Sequence, residues 1–221
     1  MASDLVEIIS LSLKVSGIAL LFATLTGVPV GALIGLNRYR GRRLTAALLY
    51  TGMGFPPVVI GLFVYLLLSR NGLLGPLNLP FVPKLFTPGA MVLAQTIIAF
   101  PLVAGFTMAA VMGVDPALRQ QVLSVGATKR QAAWTVLVEA RVGVIVAIVA
   151  GFGSIISEVG AVMLVGGNIE GRTRVLTTAI VLETRQGDFD MAVALGAVLL
   201  AITFLANLLM MRLQGGSFDE G

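Results

Sequence analysis

The sequence predicts an all-α integral membrane protein with five transmembrane helices and a polar helix–turn–helix connector between the third and fourth. Three observations carry this. Of 221 residues, 57% are hydrophobic and only 12% are charged, with mean hydropathy +0.97. Ordinary soluble domains are about 25% charged, so too little polar surface is present to cover a water-soluble globule of this size. Five apolar runs reach the roughly 20 residues needed to cross the hydrocarbon of a bilayer. The polar stretch 113–141 lies between two of those runs, in a chain with little other soluble mass. No internal repeat or low-complexity segment divides the chain, so residues 1–221 read as one transmembrane domain.

The first span runs over about 13–36, with Lys14 as an anchor whose stem can snorkel to the interface. It is too long, and lacks the small-residue cleavage pattern, for a removable signal peptide. The second, about 44–68, carries Pro56 and Pro57 in its middle. Each removes a backbone donor and disrupts the helix. Broken helices at mid-membrane are tolerated against protein or a water-filled cavity rather than lipid, and in transporters they mark the pathway; a packing kink is the alternative. The third, about 87–112, opens on Thr87-Pro88 as N-cap and first helical residue, and Pro101 predicts a further kink.

The connector 113–141 has its own punctuation. Asp115-Pro116 starts a helix, and Gly126 permits a left-handed turn at little steric cost. Thr128 with Gln131 is a capping-box pattern that restarts a helix. The product is two short helices about a tight corner. Gln120, Gln121, Lys129 and Arg130 alternate there with Val122, Leu123, Val125 and Trp134. Such a surface fits either a groove in another protein or the lipid headgroups. The fourth span, about 142–165, contains Glu158, a carboxylate well inside an apolar run. Residues 175–184 are apolar but too short to cross and read as interfacial or re-entrant. The fifth span, about 189–211, follows a break at Gly187 with Asp188 as N-cap. Gly105, Gly151, Gly153 and Gly160 permit close helix approach.

Basic residues set the expected orientation, since cytoplasmic connectors carry the excess of Lys and Arg. Arg38, Arg40, Arg42 and Arg43 lie in the first connector, and Arg119, Lys129, Arg130 and Arg141 in the third. Both are cytoplasmic if the N-terminus is outside and the C-terminus, after Arg212, inside. The outer side then holds Arg70, Lys84, Arg172, Arg174 and Arg185. The chain has no Cys and no His, which excludes thiol redox chemistry, disulfides and the common zinc and haem ligand sets. No phosphate-binding loop of the G-x-x-x-x-G-K-[ST] type occurs, so the chain is not itself an ATPase. No catalytic residue, metal site, cofactor or nucleic-acid partner is expected, and membrane lipid is the solvent.

VLSVGATKRQAAWTVLVEARVG, residues 122–143, resembles the EAA loop of the permease subunits of ABC importers. Gln120, Gln121 and Val122 stand where Glu-Ala-Ala is usual, and Val138-Glu139 where Leu-Pro is common. FPPVVIGLFVYLLLSRNGLLGPL (55–77) and FTPGAMVLAQTIIAFPL (86–102) are similar to segments of molybdate and tungstate permeases. SEVGAVMLVGGNIEGRTRVLTTAIVLET (157–184) looks most like the tungstate-specific branch. The resemblance spans about 56–213. It implies the type I ABC importer permease fold and an ATP-driven importer of tungstate, with molybdate or another oxyanion as the alternative. A secondary transporter or a membrane scaffold are more remote readings. A secondary transporter needs inverted repeats and coupling carboxylates beyond Glu158.

By the same resemblance, the connector is a coupling helix that enters a cleft on a separate ATPase subunit, with Gln121, Leu123, Ser124, Gly126, Ala127, Thr128 and Arg130 as the coupling residues. Pro56, Pro57, Glu158, Gly160 and Asn168 are the pathway or gate candidates. Glu158 either gates, locks helices together, or is a structural hydrogen-bonding group paired with Arg172 or Arg174; as a direct ligand it would repel a dianion. A periplasmic or extracellular oxyanion-binding protein captures the cargo, and Arg172 and Arg174, with Lys84 and Arg185, are expected to help dock it. Five spans do not easily enclose a pathway, so a homodimer is expected, with the pathway on the two-fold axis. The implied location is the plasma (inner) membrane of a prokaryote. The chain leaves no room for the C-terminal inhibitory domain of some oxyanion importers, so feedback through such a domain is not expected.

Overall fold

The computed structural model describes residues 2–37, 39–77 and 79–213; Arg38 of the first basic connector lies outside them. Among the described residues ten α-helices follow in order: α1 (Ala2–Leu36), α2 (Arg42–Met53), α3 (Pro57–Leu68), α4 (Pro88–Gly113), α5 (Pro116–Ser124), α6 (Lys129–Glu139), α7 (Arg141–Ile156), α8 (Gly160–Gly166), α9 (Leu176–Gln186) and α10 (Phe189–Leu213). Three described helices are long and apolar enough to cross a membrane, over Asp4–Leu36, Pro88–Gly113 and Phe189–Leu209; the count rises to five if each of two bent pairs is one span.

Three boundaries differ from expectation. Helix α1 begins at Ala2 rather than near Leu13 and has 35 residues, roughly 52 Å at 1.5 Å per residue. Asp4 lies in its first turn, where an acidic side chain favours the positive end of the helix dipole. The apolar run marked only the part fit for lipid. The second apolar run is two helices, α2 and α3, bent by 96°. The fourth is α7, a break over 157–159, and α8.

Helix α4 is the axis of the fold. Ala90, Met91, Ala94, Ala99, Val103, Ala104 and Met108 along it are all buried. It continues unbroken through Pro101, whose ring lies where a Cβ on Gly52 of α2 would approach to 3.0 Å. Helix α1 lies against α4 through Gly27, Gly31 and Gly35. These recur every fourth residue, so they share one face. A Cβ at Gly27 would lie 3.1 Å from Val103, and one at Gly31 would run into the Ala104 carbonyl oxygen. This is the close backbone approach that small residues allow inside membranes. Helix α7 packs on α4 in the same way, with Gly143 against Ala110 and Gly151 against Val103. Helix α8 packs on α3 through Gly61 and Ala161.

Two hydrogen bonds between distant segments mark the two ends of the bundle. Arg119 of α5 bonds the Leu36 carbonyl at 2.8 Å, which puts both basic connectors at one end. Phe86 N–H bonds the Val165 carbonyl at 2.8 Å at the other end of α4, beside the loops that carry Arg70, Lys84, Arg172 and Arg174. Helix α9 is buried along its first turn and held to α1 by a 2.8 Å bond from Leu176 N–H to the Ser12 hydroxyl. Gly187, at φ +83°, turns the chain into α10, and Asp188 caps that helix by accepting from Met191 N–H at 3.0 Å.

Candidate functional site

The connector folds as its punctuation requires. Asp115 accepts from Ala117 N–H at 2.8 Å and starts α5. Helix α5 ends in a Schellman motif: Gly126 sits at φ +90°, its N–H donates to Leu123 O at 3.1 Å, and Ala127 N–H donates to Val122 O at 3.3 Å. Two residues later the Thr128 side chain accepts from Gln131 N–H at 3.3 Å, and Gln131 accepts from Thr128 N–H at 2.8 Å. Two of the carbonyls left open at the end of α5 and one N–H at the start of α6 are thereby closed within a few residues.

This elbow has two faces. Val136 of α6 and Ala140 just after it are buried against Ala32 and Val111, which fixes the elbow to the ends of α1 and α4. The outward face carries Leu123 (38% exposed), Val125 (85%) and Trp134 (67%). Apolar side chains at the tip of a polar loop can close over a groove in a partner, where aromatic anchors contribute most. Gln121, Leu123, Ser124, Gly126, Thr128 and Arg130 all lie exposed at this tip, with Ala127 half-buried between them. Val125, the most exposed of the apolar group, was not among the expected coupling residues. Its signal was its place just before a C-terminal glycine, where the chain turns away from the bundle.

The two helix breaks adjoin one another. Pro56 is the N-cap of α3 and Pro57 its first residue. With neither able to donate, the chain turns a corner instead of kinking, and Pro56 O accepts from Val59 N–H at 2.9 Å and Ile60 N–H at 3.3 Å. A cavity of about 610 Å³ opens at this corner, lined by Met53, Phe55, Pro56, Pro57, Pro101 and Ser154 among others, with no Lys or Arg among its lining residues. Glu158 lies one turn beyond Ser154, at the break between α7 and α8. Its Oε1 accepts from Ala161 N–H at 2.8 Å, and its carbonyl accepts from the Thr177 hydroxyl at 2.9 Å. A Cβ at Gly160 would strike Val58, next to Pro57. Pro57, Glu158 and Gly160 are therefore neighbours. Asn168, at φ +51°, lies past the far end of α8 and is not part of this group.

The expected pairing of Glu158 with Arg172 or Arg174 is not what the structure holds: Arg174 Nη1 lies 3.5 Å from Glu170, and Glu158 is engaged in capping α8. A carboxylate accepting from a helix N-terminal N–H is favoured by the local dipole. Glu158→Ala should cost about 1 kcal/mol of stability, and Glu158→Gln, which keeps an acceptor, much less. Thermal unfolding of the detergent-purified protein checks this, and equal losses would exclude a capping role. Buried Gln95 of α4 supports the same break and was not anticipated: it is 3% exposed and donates from Nε2 to Ile155 O at 2.9 Å.

The loop after α8 is a closed knot. Thr173 accepts from Ile169 N–H at 2.9 Å and donates to Gly166 O at 2.6 Å. Thr173→Val keeps the shape but leaves both groups open, and should cost about 1–3 kcal/mol, read as a lower midpoint in the same unfolding measurement. Arg172 projects from this knot exposed, while Arg174 is half-buried and partly neutralised by Glu170.

The family described as binding-protein-dependent transport system inner membrane component matches residues 27–216. The chain is 42% identical over 215 residues to the probable anion ABC transporter permease protein of Haloferax volcanii, covering 95% of this chain and 90% of that one. It is 40% identical over 207 residues to the tungstate uptake system permease protein TupB of Peptoclostridium acidaminophilum, covering 94% and 89%. Among solved structures, an inward-facing conformation of the MetNI methionine ABC transporter superposes with a TM-score of 0.77 at 18% identity, covering 97% and 96%. That likeness concerns the fold.

Proposed function

The chain belongs to the family of binding-protein-dependent transport system inner membrane components, and from that premise we propose that it is the membrane subunit of a tungstate importer. It is an ABC transporter permease of the tungstate, molybdate and anion group, a multi-pass subunit that catalyses no reaction itself. Its work is to open a path for an oxyanion when a separate ATPase and a binding protein act on it. Tungstate is the favoured cargo because of the 40% identical tungstate permease and the 157–184 segment.

The observation that carries the mechanism is the elbow: anchored to α1 and α4 beneath, apolar and uncovered outward. A partner gripping Leu123, Val125 and Trp134 moves the ends of two packed helices at once. The corner at Pro56-Pro57 and the break at Glu158 lie further along the same bundle. Two adjoining interruptions give a pathway places to open and close without unwinding a whole span. A cavity without Lys or Arg suits a conduit, since conduction needs weak sites. We place two copies about a two-fold axis, the elbow on the cytoplasmic side, and Arg172 outward toward the binding protein.

The test is reconstitution in vesicles with the partner ATPase inside and the binding protein outside, comparing uptake of tungstate, molybdate and sulfate. ATP-dependent tungstate accumulation at the lowest concentration is expected. Preference for molybdate would move the cargo, and accumulation without the ATPase would end the importer reading.

A further inference from the structure

The last four carbonyls of a helix have no partner within it and need one from elsewhere. At the end of α1 every one is accounted for. Leu33 O accepts from Asn37 N–H at 3.2 Å and from Asn37 Nδ2 at 2.9 Å. Ile34 O and Gly35 O accept from Arg42 Nε and Nη2 at 3.0 and 2.9 Å. Leu36 O accepts from Arg119 Nη1 at 2.8 Å. The first three come from residues just beyond the helix. The fourth comes from 83 residues away, on the first helix of the elbow.

Arg119 differs from an ordinary cap in two further ways. Helix α5 has no buried residue of its own, so apolar packing does not fix it to the bundle. A cleft of about 450 Å³, lined by Gly35, Leu36, Asp115, Pro116 and Val136, separates the end of α1 from the α4–α5 corner, and Arg119 lines it too. Arg119 Nε makes no hydrogen bond to a protein acceptor there. The side chain spans the cleft.

We infer that Arg119 is a positioning residue of the transport cycle, a strut that transmits displacement of α5 to α1. The inference rests on the importer reading above. Helix α4 is joined to α5 by the chain itself through Val114 and Asp115, whereas α1 reaches it across the cleft through this guanidinium. With the strut in place, α5 moves as one body with the packed α1–α4 pair when the ATPase pushes the elbow. Without it α5, which buries no residue of its own, shifts against that pair, and ATP is hydrolysed with less cargo moved.

The experiment uses the complete complex of permease, ATPase and binding protein in vesicles, with tungstate as the transported anion, and reads ATP hydrolysed per tungstate moved. Arg119→Met keeps the apolar stem and removes the donors. It should raise that ratio at least about tenfold, a loss in keeping with one charged hydrogen bond, while ATPase association stays intact. Arg119→Lys, with one donor of shorter reach, should recover part of the coupling. Arg42→Met removes two caps from the same helix end but none from the elbow, so it should lower the unfolding midpoint and leave the ratio unchanged. A rise in the ratio for Arg119→Met alone supports the strut. An unchanged ratio in Arg119→Met, or an equal rise in Arg42→Met, overturns it. A wild-type complex that moves no tungstate on ATP overturns the importer reading instead, so the two failures are distinguishable.

Discussion

Gly126→Val is expected to abolish ATP-driven uptake while leaving the membrane bundle folded. Gly126 sits at φ +90°, in the left-handed region where a Cβ meets its own backbone and the cost for an L-residue is about 1–2 kcal/mol. Valine, branched at Cβ, is at the upper end of this range or beyond it. Nothing else is in the way, because a Cβ at this position has no heavy atom within 4 Å. The penalty is therefore purely a matter of turn geometry. At about 1.4 kcal/mol per tenfold, roughly 2 kcal/mol lowers the ratio of native to non-native turn by more than tenfold. Those that leave it lose the Gly126 and Ala127 bonds to Leu123 and Val122 and re-aim Val125 and Trp134. Gly126→Asn is the control, since Asn tolerates left-handed geometry. Co-purification of the ATPase and vesicle uptake should both collapse for valine, by about tenfold or more, and survive for asparagine, with similar unfolding midpoints. Equal binding and uptake for the two variants would show that the turn is not the docking element.

The elbow was legible from sequence because its signals are local. The Asp115 cap, the left-handed Gly126 and the Thr128–Gln131 box each act within a few residues, so no distant contact could override them. The Pro56-Pro57 corner was legible as a disruption, but its 96° angle depends on α8 packing against α3 through Gly61 and Ala161. The break over 157–159 was hidden for a different reason. No proline marks it, and the run 142–165 stays apolar on both sides. Its one clue, Glu158, invited a search for an opposite charge, whereas the carboxylate is satisfied by a backbone N–H three residues on. Arg119 and Gln95 were out of reach altogether. Each looks ordinary on its own helix, and each matters through a carbonyl 83 or 60 residues away. Distant hydrogen bonds between helices leave no periodicity to read.

The same gap between local pattern and distant contact sets the largest structural effect, at Gly31. Gly31→Leu should prevent recovery of folded protein, whereas Gly17→Leu on the same helix should be accepted. A Cβ at Gly17 has no heavy atom within 4 Å. One at Gly31 would run into the Ala104 carbonyl oxygen, with Thr107 Cβ at 2.9 Å and the Ala104 carbonyl carbon at 3.0 Å. Overpacking a tight core costs about 1–3 kcal/mol and occasionally more when side chains can shift. Here the obstacle is backbone of the central helix, so no rotamer change relieves it and α1 must move off α4. Against a total stability of about 5–15 kcal/mol, that is enough to lose the fold. Rescue separates backbone from side-chain obstruction. At Gly35 the nearest atom is Val111 Cγ1 at 2.8 Å, followed by Val111 Cβ at 3.0 Å and the Met108 carbonyl oxygen at 3.1 Å, so Gly35→Ala should recover in part when Val111→Ala removes that Cγ1. Gly31→Ala should not recover with Thr107→Ala, because the Ala104 carbonyl remains. Yield and unfolding midpoint of the purified protein decide the matter, and full rescue at Gly31 would mean that α1 and α4 are not held at backbone contact. If they are, the helix pair is stiff along its length, and a displacement delivered by the elbow to the end it is packed on arrives at the paired breaks undiminished.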